Sequence, residues 1–237
     1  MIELHTFGDP GSQAEALAAA VADRLARPRT AEPGLAAVSP DSTSARVLAV
    51  SGGTSPRRFF EHLSVHTLDW QAIDVTLVDD RWVADDDAAS NAQLVRANLL
   101  QNAAAASRFL PLVDVTHEPS QHVALLNHDA RYRQPDVAVL GMGEDGHTAS
   151  LFADAPEWPA LLATEERYVL AHPSAAPHAR VSLSMHALIH TRHLFLLISG
   201  TRKLDVLNQA IAGPNNNAIS KLANHKGVHI DVYWCAD

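Results

Sequence analysis

The chain has 237 residues, of which 47% are hydrophobic and 19% are charged, and this composition is typical of a globular protein with a sizeable buried core. Its formal net charge of −9 argues against nucleic acid or an anionic membrane as a partner, because both require a basic surface. Its one cysteine, Cys235, excludes an intrachain disulfide and disfavours a cysteine-based metal site.

The N-terminal segment predicts a cytoplasmic protein whose first element is a helix. Residues 1–10 are acidic and polar where a signal peptide needs a basic flank and an apolar run, and no apolar segment approaches the roughly 20 residues of a membrane span. Ser12 and Glu15 have the spacing of a capping box, and apolar residues recur every four positions from Leu17, which predicts a helix that ends at Pro28. Residues 28–45, rich in Pro, Ser and Thr, predict a surface loop.

The middle of the chain alternates short apolar strands with helices. A strand is predicted over Arg46–Val50, and Ser55 is expected to cap the next helix with Pro56 at its first position. A second strand is predicted over 74–78 and runs into the polar sequence DDRW, after which Ser90 is expected to cap another helix.

The same alternation continues to the C-terminus and predicts the fold class. Strands are predicted over Val137–Leu140, Tyr168–Ala171, Arg180–Leu183, 193–198 and 228–233, and helices over 120–131, over 184–190 and from 200 through 211. Apolar strands that alternate with helices indicate an α/β protein with an open, mainly parallel sheet and helices on both faces. No internal repeat or linker interrupts the pattern, so we expect a single domain over residues 1–237.

The loop over 51–55 has the features of an anion site. Gly52 and Gly53 let the backbone approach a ligand and present successive N–H groups, and the N-terminus of the following helix favours negative charge. The hydroxyls of Thr54 and Ser55 add donors. The loop lacks the Gly-Lys-Ser/Thr ending of a nucleotide-binding P-loop, so it predicts either a phosphate site or a tight strand–helix turn.

The stretch over 137–152 runs from a buried strand into a glycine-rich, polar turn. Gly141, Gly143 and Gly146 formally match a dinucleotide fingerprint, but the following strand ends in Ala-His-Pro and lacks the acidic residue that binds a ribose, which disfavours a nicotinamide enzyme. His147 is a candidate general base that takes a proton from water, and Asp145 or another carboxylate could orient its ring. A structural or solvated loop histidine is the alternative.

Other polar residues are candidates for binding a metal ion or a phosphate. His186 and His190 have helical spacing but lack the Glu of a zinc-protease motif, so a solvated helix face is expected and no metal site is predicted. Three basic residues lie near predicted strand ends and are either surface charges or candidates for holding a phosphate: Arg81, Arg180 and Lys203.

Taken in order, these motifs resemble the 6-phosphogluconolactonase family. The resemblance covers nearly the whole chain and consists of the segments SGGTSP, DDRWV, SNAQLVRANLL, LGMGEDGHTASLF, the Arg180-Val-Ser segment and SGTRK. The related glucosamine-6-phosphate deaminases share the Asp-Gly-His core, but their motif continues through Ile-Ala-Phe-Asn-Glu-Pro. Here Thr148 to Phe152 contain no Glu, which favours the lactonase. Asp80, Glu144 and Ala153 depart from the usual lactonase residues, and the change at Asp80 leaves the role of that carboxylate open.

The resemblance implies a fold like that of glucosamine-6-phosphate deaminase and ribose-5-phosphate isomerase, and an activity. The implied reaction is hydrolysis of 6-phospho-D-glucono-1,5-lactone to 6-phospho-D-gluconate in the oxidative pentose phosphate pathway, without a metal or organic cofactor. In that reaction His147, partnered by Asp145, is expected to activate water. Backbone N–H groups of Gly141, Gly143 and Gly146 are expected to stabilise the oxyanion. Phosphate binding and substrate placement are expected from Gly52, Gly53, Thr54, Ser55, Arg81, Arg180 and Lys203.

Two other functions stay open from sequence. One is a glucosamine-6-phosphate-type isomerase or deaminase with Asp79 or Asp80 as the base that removes a proton from carbon. The other is a non-catalytic sugar-phosphate-binding domain. In each case a small sugar phosphate is the expected partner, and the chain is expected to be a monomer or a weak homo-oligomer.

Overall fold

The computed structural model describes residues 1–27 and 45–236. The loop predicted over 28–45 lies, apart from Ala45, outside these residues. The described residues form the strands β1 (Ile2–Phe7), β2 (Arg46–Val50), β3 (Ile73–Leu77), β4 (Asp79–Arg81), β5 (Arg108–Leu110), β6 (Val137–Leu140), β7 (Tyr168–Ala171), β8 (Arg180–Leu183), β9 (His193–Ser199) and β10 (Ile230–Cys235). Their helices are α1 (Pro10–Ala26), α2 (Arg57–Ser64), α3 (Asn91–Asn98), α4 (Pro119–His128), α5 (Trp158–Ala163), α6 (Met185–Ile189), α7 (Thr201–Ala212) and α8 (Ala218–Ala223).

The main sheet has seven strands in the order β1-β10-β9-β6-β2-β3-β5, and all of its neighbouring pairs are parallel. β3 and β6 are buried at every residue, and β2 is buried after its first, because a parallel sheet is covered on both faces. The predicted open, mainly parallel α/β sheet is therefore confirmed. No helix among the described residues is both long enough and apolar enough to cross a membrane.

The strand order reverses between β2 and β6. From β2 the chain proceeds through β3 to β5 on one side, whereas β6, β9, β10 and β1 extend the sheet on the other. Strand crossovers that diverge in this way leave a crevice outside the carboxyl ends of the two central strands, where ligands bind in open α/β sheets. The loops over 51–56 and 141–147 follow these two strands and meet at that crevice.

A second, three-stranded sheet has the order β4-β8-β7 and is antiparallel. The sequence pattern predicted the strands β7 and β8 as parts of a single, mainly parallel sheet. Their assignment to that sheet is wrong, because both lie in the small antiparallel sheet. Val78 joins the two sheets, because its N–H donates to the carbonyl of Val50 and its own carbonyl accepts from Leu183. The pairing sets Arg81 opposite Arg180, so the small sheet brings two basic side chains together.

Two helix starts differ from the prediction. α1 is capped by Asp9, whose carboxylate accepts the N–H groups of Gly11 and Ser12 at 2.8 and 3.0 Å, so Ser12 lies inside the helix and is not its cap. α2 has Pro56 at its N-cap position without a side-chain cap, so the expected Ser55 cap is wrong. The Ser90 cap is confirmed, because its hydroxyl accepts the Gln93 N–H at 3.3 Å.

Candidate active site

A cavity of about 290 Å³ lies at the reversal point, between the loops that follow β2 and β6. Its wall includes ten of the residues predicted from the sequence: Gly52, Gly53, Thr54, Ser55, Arg81, Gly141, Gly143, His147, Arg180 and Lys203. Asp145 and Gly146 are the two predicted site residues that do not line it. His186 and His190 lie on and directly after α6, outside the cavity wall, with their rings 4.2 Å apart.

The loop over 51–55 presents backbone donors to the cavity. Within the part of the chain that the structure describes, the N–H groups of Gly52, Gly53, Thr54 and Ser55 have no protein acceptor. Gly52 itself is required by a close approach: a Cβ there would lie 1.8 Å from Oδ1 of Asn91. Asn91 is held in place by donating to the carbonyl of Asp79 at 2.9 Å. The loop therefore offers a run of unused donors of the kind that binds an anion.

The turn after β6 is stabilised by its own hydrogen bonds. Gly143 N–H donates to the carbonyl of His147 at 3.0 Å, and Gly146 N–H donates to the carbonyl of Gly143 at 3.0 Å. These two N–H groups already donate inside the turn, which disfavours them as oxyanion donors, and their role in stabilising an oxyanion stays a prediction. Met142 also lines the cavity, and its N–H has no acceptor among the described residues, so this donor, which the sequence analysis missed, is available to a ligand.

His147 projects from this turn with its ring orientation fixed by two contacts. Its Nδ1 lies 2.6 Å from Oδ1 of Asp145, and its ring stacks on Phe152 with centroids 4.0 Å apart. Because an ionised carboxylate only accepts, Nδ1 carries the proton in this contact, and in the neutral imidazole Nε2 then has the free lone pair. A Cβ on Gly143 would lie 2.3 Å from the His147 ring, so glycine there gives the ring its place.

Three cations border the cavity. Arg180 is 8% exposed, and its guanidinium lies over the Phe152 ring at 5.5 Å. Burial lowers the pKa of Arg180, and the nearby Asp79 carboxylate opposes that shift. Arg81 donates from Nη1 to the carbonyl of Ala89 at 2.7 Å. The Nε atoms of both arginines are buried without an acceptor, and no hydrogen bond or ion pair engages Lys203 among the described residues. The three side chains thus retain donors for an anionic ligand.

Two adjacent carboxylates from β4 have different surroundings. Asp79 lines the cavity, accepts the hydroxyl of Ser150 at 2.5 Å and lies 3.9 Å from Nη1 of Arg180. Asp80 faces away and accepts the backbone N–H groups of Arg81 and Asn91 at 2.8 and 2.7 Å. Burial raises the pKa of Asp80 to about 6, and those N–H donors oppose the rise. Asp80 therefore anchors the start of α3, a role that its departure from the family residue left open, and only Asp79 faces the ligand space.

The fold and the cavity define an α/β protein whose cavity is lined by three cations and lies beside a histidine–carboxylate pair. The chain belongs to the glucosamine-6-phosphate isomerase/6-phosphogluconolactonase family, whose model matches residues 12–234. It is 40% identical over 240 residues to a 6-phosphogluconolactonase from Neisseria meningitidis serogroup A, covering 99% of both chains. It is also 40% identical to one from Mesorhizobium japonicum, covering 97% of this chain and 94% of the other.

Solved structures agree with this assignment. The crystal structure of a 6-phosphogluconolactonase from Shewanella baltica superposes with a TM-score of 0.87 and 33% sequence identity, covering 100% of this chain and 98% of that one. The resemblance drawn from the sequence motifs is therefore confirmed.

Proposed function

We propose that this chain hydrolyses 6-phospho-D-glucono-1,5-lactone to 6-phospho-D-gluconate, a step of the oxidative pentose phosphate pathway. Family membership and the names of its full-length relatives support this reaction. The observation that carries it is the His147–Asp145 pair, which lies at one side of a cavity whose other walls hold three cations and a loop of free N–H groups. An ester carbonyl and a phosphate are the two groups that such a cavity would bind at once.

His147 acts as the general base. With Nδ1 bonded to Asp145, Nε2 takes a proton from water as the water oxygen attacks the lactone carbonyl carbon. The resulting tetrahedral intermediate collapses by breaking the bond to the ring oxygen, which receives the proton from Nε2 as it leaves. Asp145 stabilises the imidazolium that forms between these steps. No metal or organic cofactor enters this sequence of steps.

Negative charge develops on the carbonyl oxygen during the attack and needs donors that are not already engaged. The N–H of Met142 meets this requirement, and Gly141 remains a candidate from the original prediction. One such preorganised donor typically contributes about 10²–10³-fold to the rate constant. The turn over 141–147 would therefore place both the base and the oxyanion donor on one rigid segment.

The phosphate is held by the remaining cavity groups. Lys203, Arg81 and Arg180 supply charge, and the N–H groups over 52–55 surround the phosphate oxygens, with the Thr54 and Ser55 hydroxyls as further donors. Binding of the phosphate by these groups positions the lactone carbonyl beside His147. The groups therefore act mainly on the affinity for the substrate and on its orientation.

Freshly prepared lactone with coupled oxidation of the 6-phosphogluconate product tests the reaction, after subtraction of spontaneous hydrolysis. A large excess over the spontaneous rate is expected, and its absence would reject the proposal. The alternative deaminase reaction rests on Asp79, the one β4 carboxylate in the cavity. Its oxygen is already bonded to Ser150 and lies close to Arg180, which disfavours it as a carbon base, so we expect no ammonia from glucosamine 6-phosphate.

If the chain were instead a non-catalytic sugar-phosphate-binding domain, it would bind the ligand and show no turnover in the same assay. The cytoplasmic location and the monomeric or weakly oligomeric state stay predictions. Size-exclusion chromatography with light scattering would measure the oligomeric state.

A further inference from the structure

A cluster of histidines and carboxylates lies on β1, the edge strand of the main sheet, and on and directly before its neighbour β10. The parallel register pairs Glu3 with Asp231. Side chains two residues apart on a strand point to the same face, so His5 shares a face with Glu3, and His229 precedes Asp231 on the same face. The pairing thus brings Glu3 and His5 beside His229 and Asp231, which lie more than 220 residues later in the sequence.

The ligating atoms of Glu3, His5 and Asp231 form one group, and His229 lies beside it. His5 Nε2 lies 3.8 Å from Glu3 Oε1 and 3.5 Å from Asp231 Oδ1. His229 Nε2 lies 3.7 Å from Glu3 Oε2 and 3.2 Å from the same Asp231 Oδ1. One ligand atom each from Glu3, His5 and Asp231 lies within 4.8 Å of the others. Each imidazole therefore lies within 4 Å of both carboxylates.

The separations are longer than those of strong hydrogen bonds between charged groups and suit ligands around a metal ion. All four exceed the roughly 2.7–2.9 Å expected of a charge-assisted hydrogen bond, and the two to Asp231 Oδ1, at 3.5 and 3.2 Å, are long hydrogen bonds. Ligand atoms about 2.0–2.2 Å from a tetrahedral Zn²⁺ are roughly 3.3–3.6 Å apart, which is the range that the cluster brackets. Two imidazoles with two carboxylates also suit a borderline transition metal better than Ca²⁺ or Mg²⁺, which prefer oxygen ligands alone.

We propose that Glu3, His5 and Asp231 bind a divalent transition-metal ion such as Zn²⁺, with His229 as the fourth ligand. The side chain of Asp231 is 14% exposed, and those of His5 and His229 are 33% and 44% exposed, so the site is partly shielded but reachable from solvent. The ion fastens edge strand β1 to β10. Because β1 is three strand positions from β6, or about 14 Å by sheet spacing, the ion is structural and takes no part in hydrolysis.

Titration of the chelator-treated, full-length chain with Zn²⁺ against a chromophoric competitor tests the site. We expect one Zn²⁺ per chain, and we expect His5→Ala and Glu3→Gln each to weaken the apparent Kd at least about tenfold. Zn²⁺ should also raise the Tm of the unaltered chain but not that of His5→Ala, since a ligand that binds only the folded state stabilises it. If His5→Ala does not fold, Glu3→Gln and His229→Ala supply the same comparison.

The half-buried His186 and the exposed His190 provide the matched control. Both are histidines with their rings 4.2 Å apart, so His186→Ala/His190→Ala removes two imidazoles without touching the cluster. The double variant and His147→Ala should bind Zn²⁺ as the unaltered chain does. The proposal is overturned if the unaltered chain binds no stoichiometric Zn²⁺, if Glu3→Gln and His229→Ala bind as tightly as it does, or if either control variant abolishes binding.

Discussion

Replacing Asp145 with Asn removes the negative charge beside the catalytic ring while keeping the shape of the side chain. The Asp145 Oδ1 atom lies 2.6 Å from His147 Nδ1, and the role that we propose for this carboxylate is to fix the tautomer and stabilise the imidazolium. An Asn amide in its place can present either oxygen or nitrogen to Nδ1. A nitrogen donor would leave the proton on Nε2, where it blocks the base. We expect a lower kcat with a nearly unchanged KM.

The size of this loss is bounded by the geometry. A buried carboxylate that orients a catalytic histidine can contribute roughly 10⁴-fold. The Asp145 side chain is 56% exposed, so solvent screens its charge and the contribution must be smaller. We expect a fall in kcat of roughly 10- to 100-fold, or about 1.4–2.7 kcal/mol of transition-state stabilisation. Loss of the whole histidine sets the upper limit, at about 10²–10⁴-fold.

Steady-state kinetics on freshly prepared lactone measure this effect, and Glu144→Gln is the matched control. Glu144 precedes Asp145 in the same turn and carries the same charge, but its carboxylate lies 3.7 Å from exposed Arg202 and has no bond to His147. The kcat of Glu144→Gln should stay within about twofold of the kcat of the unaltered enzyme. Equal kcat values for Asp145→Asn and Glu144→Gln would refute the orienting role.

Two further variants test the phosphate site and the loop that forms it. Lys203→Ala should raise KM by about 10- to 100-fold with a smaller effect on kcat, because a hydrogen bond to a charged group contributes about 1.5–3 kcal/mol. Replacement of the exposed Lys221 with Ala is the control. An unchanged KM for Lys203→Ala would show that Lys203 does not bind the phosphate. Gly52→Ala should lower the free energy of unfolding by about 1–3 kcal/mol, because its Cβ would lie 1.8 Å from Asn91 Oδ1. Urea unfolding measures this, with Gly8→Ala, where no atom lies within 4 Å of the added Cβ, as the control; equal stability would contradict the close packing.

The predicted elements were those with uninterrupted apolar sequence. β2, β6 and β9 lie in the middle of the parallel sheet and consist largely of Val, Leu and Ile, so their sequences stand out. β1 was missed because none of its six residues is fully buried and its sequence IELHTF contains no uninterrupted apolar run. β5, with three residues, and the six-residue helices α5 and α8 are too short for a periodic signal.

The cavity was predictable because it depends on loops that follow strands. Parallel strands end at the same edge, so glycine-rich turns after β2 and β6 were expected to meet there. The contacts of Phe152, Ser150 and Met142 were not predictable, since they depend on how the small sheet folds against the main one. The sequence also could not reveal that the N–H groups of Gly143 and Gly146 donate hydrogen bonds inside the turn.

The extent of the domain stays a prediction. One continuous cluster of buried hydrophobic residues includes Leu17 from α1, Leu183 from β8 and Leu222 from α8. Such a shared core supports a single domain over residues 1–237. Limited proteolysis that releases no stable fragment is the expected result.

The turnover of His147→Ala tests the central claim most directly. Its fold should be retained, as judged by its Tm, and its KM should change little, because other residues form the phosphate site that we propose. We predict that kcat on freshly prepared lactone, after subtraction of spontaneous hydrolysis, falls by about 10²–10⁴-fold. A folded His147→Ala protein with undiminished kcat would contradict the assignment of His147 as the base that activates water.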